Sequence, residues 1–473
     1  MCVFIIGIDG LETSILDQYI DELPNFRKIR NEGTLDKINS VYPADSVPAW
    51  LTIYTGLNPA MHGIIRGKDY IESVVDFEKR NNFKLEGNAF WDKFSIDNNK
   101  CLVLNPFLAY PSWPINGVMI SGPAFIEGEV SKNPKDIACN DPVYGGYKAI
   151  GKLGELEEKM DDALSDTKNL WADYNRFIAT DNYSLAFVLF TTLDRIQHYT
   201  WRFYDKNDPL YEKKANLSDA IFNTLKILDG EIGKLMDNMK PSDHLVILSD
   251  HGFNQRPYKL INFNELLRQN GLLKLKEGSE KANVKLKQKI RNTAIKTLSK
   301  LRILDIVSAM LRNTKYFSKY KKSDFLIDKV ASKCYVDEHF SGKKPYCGFN
   351  FGDNAKNGSQ EQKIEILNEL NNILMANPEI PNPKWIKFNY EVYEGKYSNR
   401  FPDICMELPK EYGVEFELFG KLITESATHF KISGGHYDAG TFGYYNTTGR
   451  KEKITKLEDF HNLILSLKNT DAS

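Results

Sequence analysis

Three short apolar runs, each followed closely by an aspartate, constrain the fold of this chain most strongly. They are Val3–Ile8, Leu185–Phe190 and Leu245–Leu248. None of them alternates with polar residues, which is typical of strands that are buried on both faces of a parallel sheet. Segments with apolar residues at helical spacing follow, among them 14–31 and 262–269. Strand alternating with helix predicts right-handed crossovers and a layered α/β fold.

The residues that end these runs are acidic. The first run ends at Asp9, the second leads to Asp194, and the third leads to Asp250. Because the carboxyl ends of parallel strands lie at one edge of a sheet, where ligands bind, we expect the three carboxylates to converge. Any one of them alone would serve equally well as a helix N-cap. The histidines that accompany them favour a functional site.

Three histidines lie where they could join this cluster. His198 follows Asp194 by four residues, which on a helix places both side chains on one face. His251 precedes Gly252, which we expect to let the chain turn so that the imidazole reaches the cluster. His436 is flanked by glycines on one side and has room to approach a crowded site. Carboxylates and imidazoles together are a typical ligand set for a divalent cation.

Ser46 is the candidate nucleophile. It precedes Pro48, and proline is tolerated in the first turn of a helix, so the sequence predicts a helix with Ser46 as its N-cap. A helix N-terminus attracts phosphate groups, and a neighbouring cation makes a serine hydroxyl more nucleophilic. The alternative is a serine that only caps the helix.

Composition narrows the class of protein. A hydrophobic fraction of 42% is ample for a packed core, and 62 basic against 63 acidic residues argue against binding to a nucleic acid polymer. The six cysteines form no CxxC pair and are expected to be free thiols. The N-terminal segment does not resemble a signal peptide, and no apolar run reaches the roughly 18 residues of a membrane span. We therefore expect a cytoplasmic protein.

A basic stretch interrupts the α/β pattern. Residues 274–330 are rich in lysine and arginine in their first part and show helical spacing, so we interpret them as a helical insertion or cap. Residues 1–273 and 331–473 are then expected to form one discontinuous core. The basic face of 274–322 would suit peripheral contact with a membrane surface or with an anionic substrate. A solvated helix face is the alternative.

Seven segments of the sequence, taken together, resemble motifs of the alkaline phosphatase superfamily. Within it, the resemblance is to the type I phosphodiesterases and nucleotide pyrophosphatases and their cytoplasmic prokaryotic relatives. The segments occur in the family's order and span nearly the whole chain. They are GIDGL at 7–11, LPNF at 23–26, SVYPADSVPAW at 40–50, TGLNPAMHGI at 55–64, LDRIQHYTW at 193–201, LSDHGF at 248–253 and GGHYDAGTF at 434–442.

This resemblance implies an alkaline-phosphatase-like three-layer sandwich, with a mostly parallel central sheet and helices on both faces. It also implies a two-metal phosphohydrolase that acts through a covalent phosphoserine at Ser46 on a small phosphate ester or a glycoconjugate. Zinc is the expected metal, with manganese or magnesium as alternatives. The implied ligands are Asp9, Ser46, Asp250 and His251 for one ion, and Asp194, His198 and His436 for the other.

The sequence departs from the family's pattern at several positions. Ser46 stands where these enzymes usually have threonine, and Gly67 where an asparagine that contacts the phosphate is expected. Arg66 and Lys68 are therefore candidate substrate contacts, unless they are merely exposed charges. Trp50 stands where a sulfatase would have arginine, which disfavours that activity. A phosphomonoesterase, a phosphonate hydrolase and a non-catalytic binding protein with the same fold remain as alternatives.

Overall fold

The protein is represented by a computed structural model that describes residues 1–75, 84–145, 155–279 and 324–468, with a few isolated positions between 290 and 298. Contacts divide the chain into two compact units. The first unit comprises Met1–Asn254, Gly395–Tyr397 and Gly434–Ser473, and the second comprises Gln255–Glu394 and Ser398–Ser433. Each unit has its own hydrophobic core.

The strands of the described residues are, in chain order, β1 Val3–Ile8, β2 Thr34–Asn39, β3 Cys101–Leu104, β4 Gly117–Ser121, β5 Ser131–Asn133, β6 Leu185–Phe190, β7 His244–Leu248, β8 Gly252–Gln255, β9 Lys259–Ile261, β10 Cys334–Val336, β11 Tyr346–Phe351, β12 Trp385–Phe388, β13 Ile404–Glu407, β14 Tyr412–Val414, β15 Ile423–Glu425, β16 Gly434–Tyr437 and β17 Ala439–Tyr445.

The α-helices of the same residues are α1 Thr13–Tyr19, α2 Pro24–Glu32, α3 Ser46–Thr55, α4 Pro59–His62, α5 Gly67–Val75, α6 Phe90–Ser95, α7 Leu156–Thr180, α8 Thr192–Tyr204, α9 Ala215–Ser218, α10 Ala220–Asp237, α11 Phe263–Gln269, α12 Asp353–Lys356, α13 Gln360–Ala376, α14 Asn389–Val392 and α15 Asp459–Leu467.

The first unit is built on an eight-stranded sheet with the order β2-β17-β7-β1-β6-β3-β4-β5. Strands β7, β1, β6, β3 and β4 are parallel, whereas β17 is antiparallel to both its neighbours and β5 is antiparallel to β4. The three apolar runs of the sequence are β1, β6 and most of β7, side by side at the centre. The predicted mostly parallel α/β sheet is therefore confirmed.

Helices pack on both faces of this sheet. Alternate strand residues such as Phe187 join a core with the aromatic side chains of α3, where Tyr54 meets Phe187 edge to face at 6.0 Å. Phe190 lies three residues further along β6, on the opposite face, and stacks on Trp171 of α7 at 4.7 Å. Both faces are buried because each receives a helix layer, which explains why these strands lack polar alternation.

The single helix predicted over 14–31 is wrong. Helix α1 ends at Tyr19, a 3-10 turn spans Ile20–Glu22, and α2 begins at Pro24. Proline has no N–H to donate and clashes with a preceding helical turn, so it starts a new helix and does not continue the old one. Helix α2 ends at Glu32, and the N–H of the following Gly33 donates to the Ile29 carbonyl at 2.9 Å.

The second unit holds two small sheets. One is antiparallel with the order β10-β11-β13-β12, and the other has the order β14-β9-β15. Their apolar residues form a core with α11 and α13. Residues 255–273 and most of 331–433 thus belong to one unit. The predicted insertion at 274–330 lies mostly outside the described residues and stays a prediction.

Two further expectations concern the cysteines and membrane-spanning segments. All six cysteines are free thiols, and five of them are buried. Among the described helices, none combines the length and the apolar character that a bilayer crossing requires.

Candidate metal centre

The centre of the sheet determines where the three aspartates lie. Asp9 directly follows β1, Asp250 is the second residue after β7, and Asp194 lies in the first turn of α8, which follows β6. Strand β1 pairs with both β6 and β7, in parallel, so the three carboxyl ends are adjacent. All three side chains are buried and lie within one cluster.

The first group of possible metal donors comprises Asp9, Asp250 and His251. The His251 Nε2 atom lies 3.6 Å from Asp9 Oδ1 and 3.3 Å from Asp250 Oδ2. All three residues are buried, and Asp250 Oδ2 has no hydrogen-bond partner. A buried carboxylate oxygen without a partner is costly, which indicates that an electropositive partner completes this group.

The second group comprises Asp194, His198 and His436. Asp194 Oδ1 lies 3.5 Å from His198 Nε2 and 3.3 Å from His436 Nε2, and the two Nε2 atoms are 2.9 Å apart. Asp194 Oδ1 is buried and lacks a hydrogen-bond partner. The His251 ring stacks on the His436 ring at 3.9 Å, and His251 is close enough to share a cation with Asp194 and His436. The two groups therefore adjoin at His251.

The outer nitrogens of two of these histidines show how the rings are held. His198 Nδ1 lies 2.9 Å from the Gly434 carbonyl, and His251 Nδ1 lies 3.0 Å from the Gly252 carbonyl. A carbonyl oxygen only accepts, so each Nδ1 carries the proton and donates. Each Nε2 then presents its lone pair to the cluster, as a metal-ligating imidazole does.

The charges of the cluster perturb one another strongly. Burial, with the Asp250 and Asp194 charges, raises the pKa of Asp9 well above its usual value. Burial and the Asp194 charge likewise raise the pKa of Asp250. Burial also acts to raise the pKa of Asp194, but the His198 and His436 imidazoles outweigh it and lower that pKa. Burial lowers the pKa of His251 to about 3, which keeps its imidazole neutral at neutral pH.

Ser46 lies beside the first group. Its hydroxyl is 3.0 Å from His251 Nε2 and 3.4 Å from Asp9 Oδ1. The prediction that Ser46 is the N-cap of α3 is wrong by one residue, since Asp45 caps the helix by accepting from the Val47 N–H at 3.3 Å. A carboxylate accepts a backbone N–H more strongly than a hydroxyl does, which leaves the Ser46 hydroxyl to face the cluster.

Trp50 is a residue of the site that the sequence reasoning missed. It is fully buried, and its indole N–H donates to Asp9 Oδ2 at 3.1 Å. It follows Ser46 by four residues, so the two side chains share one face of α3. That spacing was the available signal, because a donor one turn after Ser46 must face the same site.

Gly252 is required for a different reason from the one predicted. A Cβ at this position would lie 1.9 Å from the Ala439 carbonyl oxygen and 1.9 Å from Glu12 Oε2. The backbone of Gly252 is not in the left-handed region, so conformational freedom is not its role. Glycine is needed because β17 and α1 approach the chain closely here, and this packing holds the adjacent His251 in place.

Arg66 and Lys68 have local partners. The Arg66 guanidinium donates two hydrogen bonds to Asp69, at 3.3 and 3.1 Å. The Lys68 side chain is 68% exposed and lies 3.5 Å from Glu72. Their proposed contact with substrate stays a prediction.

The donor set fits a divalent metal site. Three carboxylates and three imidazole nitrogens converge, and one oxygen in each group is buried without a hydrogen bond. Nitrogen and oxygen donors in this mixture suit zinc and also accept manganese.

Comparisons with known proteins agree with this chemistry. Residues 3–346 match the sequence profile of the family described as type I phosphodiesterase/nucleotide pyrophosphatase. Ectonucleotide pyrophosphatase/phosphodiesterase family member 3 of Rattus norvegicus is 23% identical over 265 residues, covering 54% of this chain and 25% of that protein. The venom phosphodiesterase of Macrovipera lebetinus is 24% identical over 270 residues, covering 54% and 26%. These alignments span about a quarter of each relative's length.

Two solved structures align with the chain. Phosphonoacetate hydrolase from Sinorhizobium meliloti 1021, in complex with phosphonoacetate, aligns with a TM-score of 0.49 and 14% identity, covering 99% of this chain and 96% of that one. Murine ectonucleotide pyrophosphatase/phosphodiesterase 5 aligns with a TM-score of 0.45 and 13% identity, covering 99% and 95%.

Proposed function

The chain belongs to the type I phosphodiesterase/nucleotide pyrophosphatase family, and on that premise we propose that it is a metal-dependent hydrolase of phosphoric esters with Ser46 as its nucleophile. One observation carries the proposal. The Ser46 hydroxyl lies 3.0 Å from His251 Nε2, at the edge of a cluster of three buried carboxylates and three imidazoles. Such a cluster is costly to bury unless cations neutralise it.

The residues of this metal centre would hold two divalent ions. Asp9, Asp250 and His251, with Ser46, would hold one of them, and Asp194, His198 and His436 would hold the other. When bound, the ions would supply positive charge that favours the ionised Ser46 hydroxyl and offsets the charge of the phosphoryl group. Zinc is the proposed metal, and manganese or magnesium is tested beside it.

The chain's own residues would position the reaction. Ser46 is the first residue of α3, and the positive end of the helix dipole there attracts a phosphoryl oxygen. Asp9 Oδ1 orients the Ser46 hydroxyl from 3.4 Å, and the Trp50 indole N–H holds the other oxygen of Asp9. Catalysis of phosphoryl transfer rests mainly on such positioning and on charge neutralisation.

Two displacements at phosphorus then account for hydrolysis. Ser46 Oγ loses its proton and forms a bond to phosphorus while the bond to the leaving oxygen breaks, and the leaving group takes up a proton. Water next attacks phosphorus, the bond to Ser46 breaks, and the hydroxyl regains its proton. The intermediate is a phosphoserine.

The proposed substrate is a small phosphate ester or a glycoconjugate, and the names of the sequence relatives support a phosphodiesterase or nucleotide pyrophosphatase type of activity. A phosphate monoester or a phosphonate would use the same nucleophile. A cytoplasmic location remains a prediction from the sequence.

Replacement of the nucleophile tests the proposal. The purified protein is assayed with bis-p-nitrophenyl phosphate, p-nitrophenyl phosphate and phosphonoacetate, with added zinc, manganese or magnesium. We expect Ser46→Ala to lower kcat by about 10³-fold or more, because the covalent route is lost. Rapid acid quenching followed by peptide mass spectrometry should find phosphate on Ser46 in the wild type alone.

Ser466→Ala is the matched control, because the Ser466 hydroxyl bonds only within its own helix, to the Leu463 carbonyl at 2.7 Å. It should keep full activity. A Ser46→Ala protein that turns over at the wild-type rate would refute the nucleophile. A wild type that binds metal but cleaves none of the three substrate classes would favour the non-catalytic binding protein.

A further inference from the structure

The three histidines of the centre share one arrangement. Each Nε2 faces the cluster, and each Nδ1 faces outward. His198 and His251 turn Nδ1 to backbone carbonyls, but His436 turns Nδ1 toward the carboxylate of Asp45. The third histidine is therefore the only one of the three that faces a side-chain charge on its outer nitrogen.

The His436 and Asp45 side chains are close but do not form a direct hydrogen bond. Asp45 Oδ2 lies 3.8 Å from His436 Nδ1, longer than a direct hydrogen bond of about 2.9 Å. The Nδ1 atom is buried and has no hydrogen-bond partner, while its side chain as a whole is 13% exposed. A buried N–H without an acceptor is unfavourable, and Asp45 is placed to satisfy it after a small rotation or through one water.

We propose that Asp45 is a positioning residue that orients His436 for the second metal ion. This inference rests on the proposed function. A carboxylate on the outer nitrogen fixes the protonated form and the direction of the ring, and it makes Nε2 a stronger donor. Such partners are worth a 10–100-fold change in metal affinity when they are removed.

The two oxygens of Asp45 give it a second consequence. Oδ1 accepts the Val47 N–H at 3.3 Å and caps α3, while Oδ2 faces His436. Asp45 also directly precedes Ser46 in the sequence. One carboxylate thus connects the first turn of α3, which carries Ser46, to a ligand of the second ion. It thereby fixes the position of Ser46 relative to His436.

A simple N-cap is the competing role for Asp45, and aspartate is common at that position. The two roles differ in what they require. Capping needs one short acceptor, which serine also provides, whereas orientation of His436 needs a side chain long enough to reach Nδ1. Asp45→Ser therefore keeps the cap and removes the contact, and Asp45→Ala removes both.

The test measures zinc binding directly. Zinc affinity is determined by competition with a chromophoric chelator for the wild type, Asp45→Ser and Asp45→Ala, with thermal unfolding as the check on folding. We expect both variants to bind the zinc ion at Asp194, His198 and His436 about 10–100-fold less tightly. Only Asp45→Ala should also lose stability. Cobalt substitution adds a spectroscopic readout, since the visible absorption of the second site should change in both variants.

Ser359→Ala is the matched control for loss of a cap. Ser359 caps α13 in the second unit, accepting from the Gln362 N–H, and its removal should lower stability without changing zinc affinity. If Asp45→Ser binds zinc as the wild type does, the positioning role is refuted and Asp45 only caps α3. If Asp45→Ser does not fold, Asp45→Asn, which keeps shape and cap but loses the charge, must show the loss of affinity instead. A wild type that binds none of zinc, manganese and magnesium overturns the proposed function itself, which separates the two failures.

Discussion

The two donor groups of the centre differ in their burial and in the elements that hold them. Asp9, Asp250 and His251 follow central strands, and their side chains are at most 4% exposed. His198 and His436 lie on α8 and on the short strand β16, and are 12% and 13% exposed. A solvent-excluded group binds its ion more tightly than a partly exposed group, so we expect two unequal metal affinities, with the first group the tighter.

The largest effect is expected when the first group, Asp9, Asp250 and His251, loses a metal ligand. Asp250→Asn keeps an acceptor for the Gly10 N–H, now 3.3 Å from Asp250 Oδ1, but removes the ligand charge. We expect affinity for the tighter ion to fall by more than about 100-fold, since even indirect partners are worth 10–100-fold. Elemental analysis after dialysis should find the tighter equivalent missing, and activity should be lost with it.

Asp229→Asn controls for the loss of a buried carboxylate elsewhere in the same unit. Asp229 accepts from the Phe26 N–H at 2.8 Å and lies on α10, so its replacement should leave the metal content unchanged. Retention of both ions by Asp250→Asn would contradict the assignment of the buried group.

The second group, which contains the partly exposed His198 and His436, should respond differently to deletion of an imidazole. His436→Ala leaves a gap that solvent reaches, whereas His251→Ala leaves one inside the protein, because His251 is fully buried. We expect added imidazole to restore metal binding and activity to His436→Ala, at least 10-fold, by occupying the gap as a free ligand. The same titration should do nothing for His251→Ala. Equal rescue of both, measured as activity against imidazole concentration, would mean that the two groups are not distinguished by access.

The smallest predicted effect concerns stability without metal. The pKa of Asp250 is raised above its usual 3.8, so this group favours folding below that value and loses its contribution as pH rises through the folded pKa. In chelator, Asp250→Asn should therefore unfold at a higher temperature than the wild type at pH 8. The gap should shrink as pH falls toward 4, and excess zinc should reverse its sign at pH 8. A pH-independent gap in thermal unfolding would contradict the charge repulsion.

Much of the central fold could be predicted from local pattern. Val3–Ile8 and Leu185–Phe190 are strands with the predicted bounds, because a strand covered on both faces must be apolar throughout. The positions of Asp9, Asp194 and Asp250 follow from the rule that parallel strands end at one edge. The family resemblance added the association of His436 with them, which no spacing within the chain indicates.

Other features depend on contacts between distant segments and have no local signature. Strand β17 enters the sheet antiparallel, between β2 and β7, because of pairing partners far away in the sequence. In the sequence Trp50 cannot be distinguished from an ordinary core residue. Its role depends on the hydrogen bond from its indole N–H to Asp9, which only the folded chain brings about. The strands of the second unit give a weak local signal because they are short, with three residues in β10 and four in β13.

The late position of β17 in the chain has a consequence for biosynthesis. Among the described strands β2 pairs with β17 alone, so on a ribosome-bound nascent chain β2 cannot pair with the sheet until the segment after His436 has emerged. The imidazole of His436 arrives with the same segment. Pairing of β2 with the sheet and completion of the donor set thus depend on the same segment, which carries both His436 and β17.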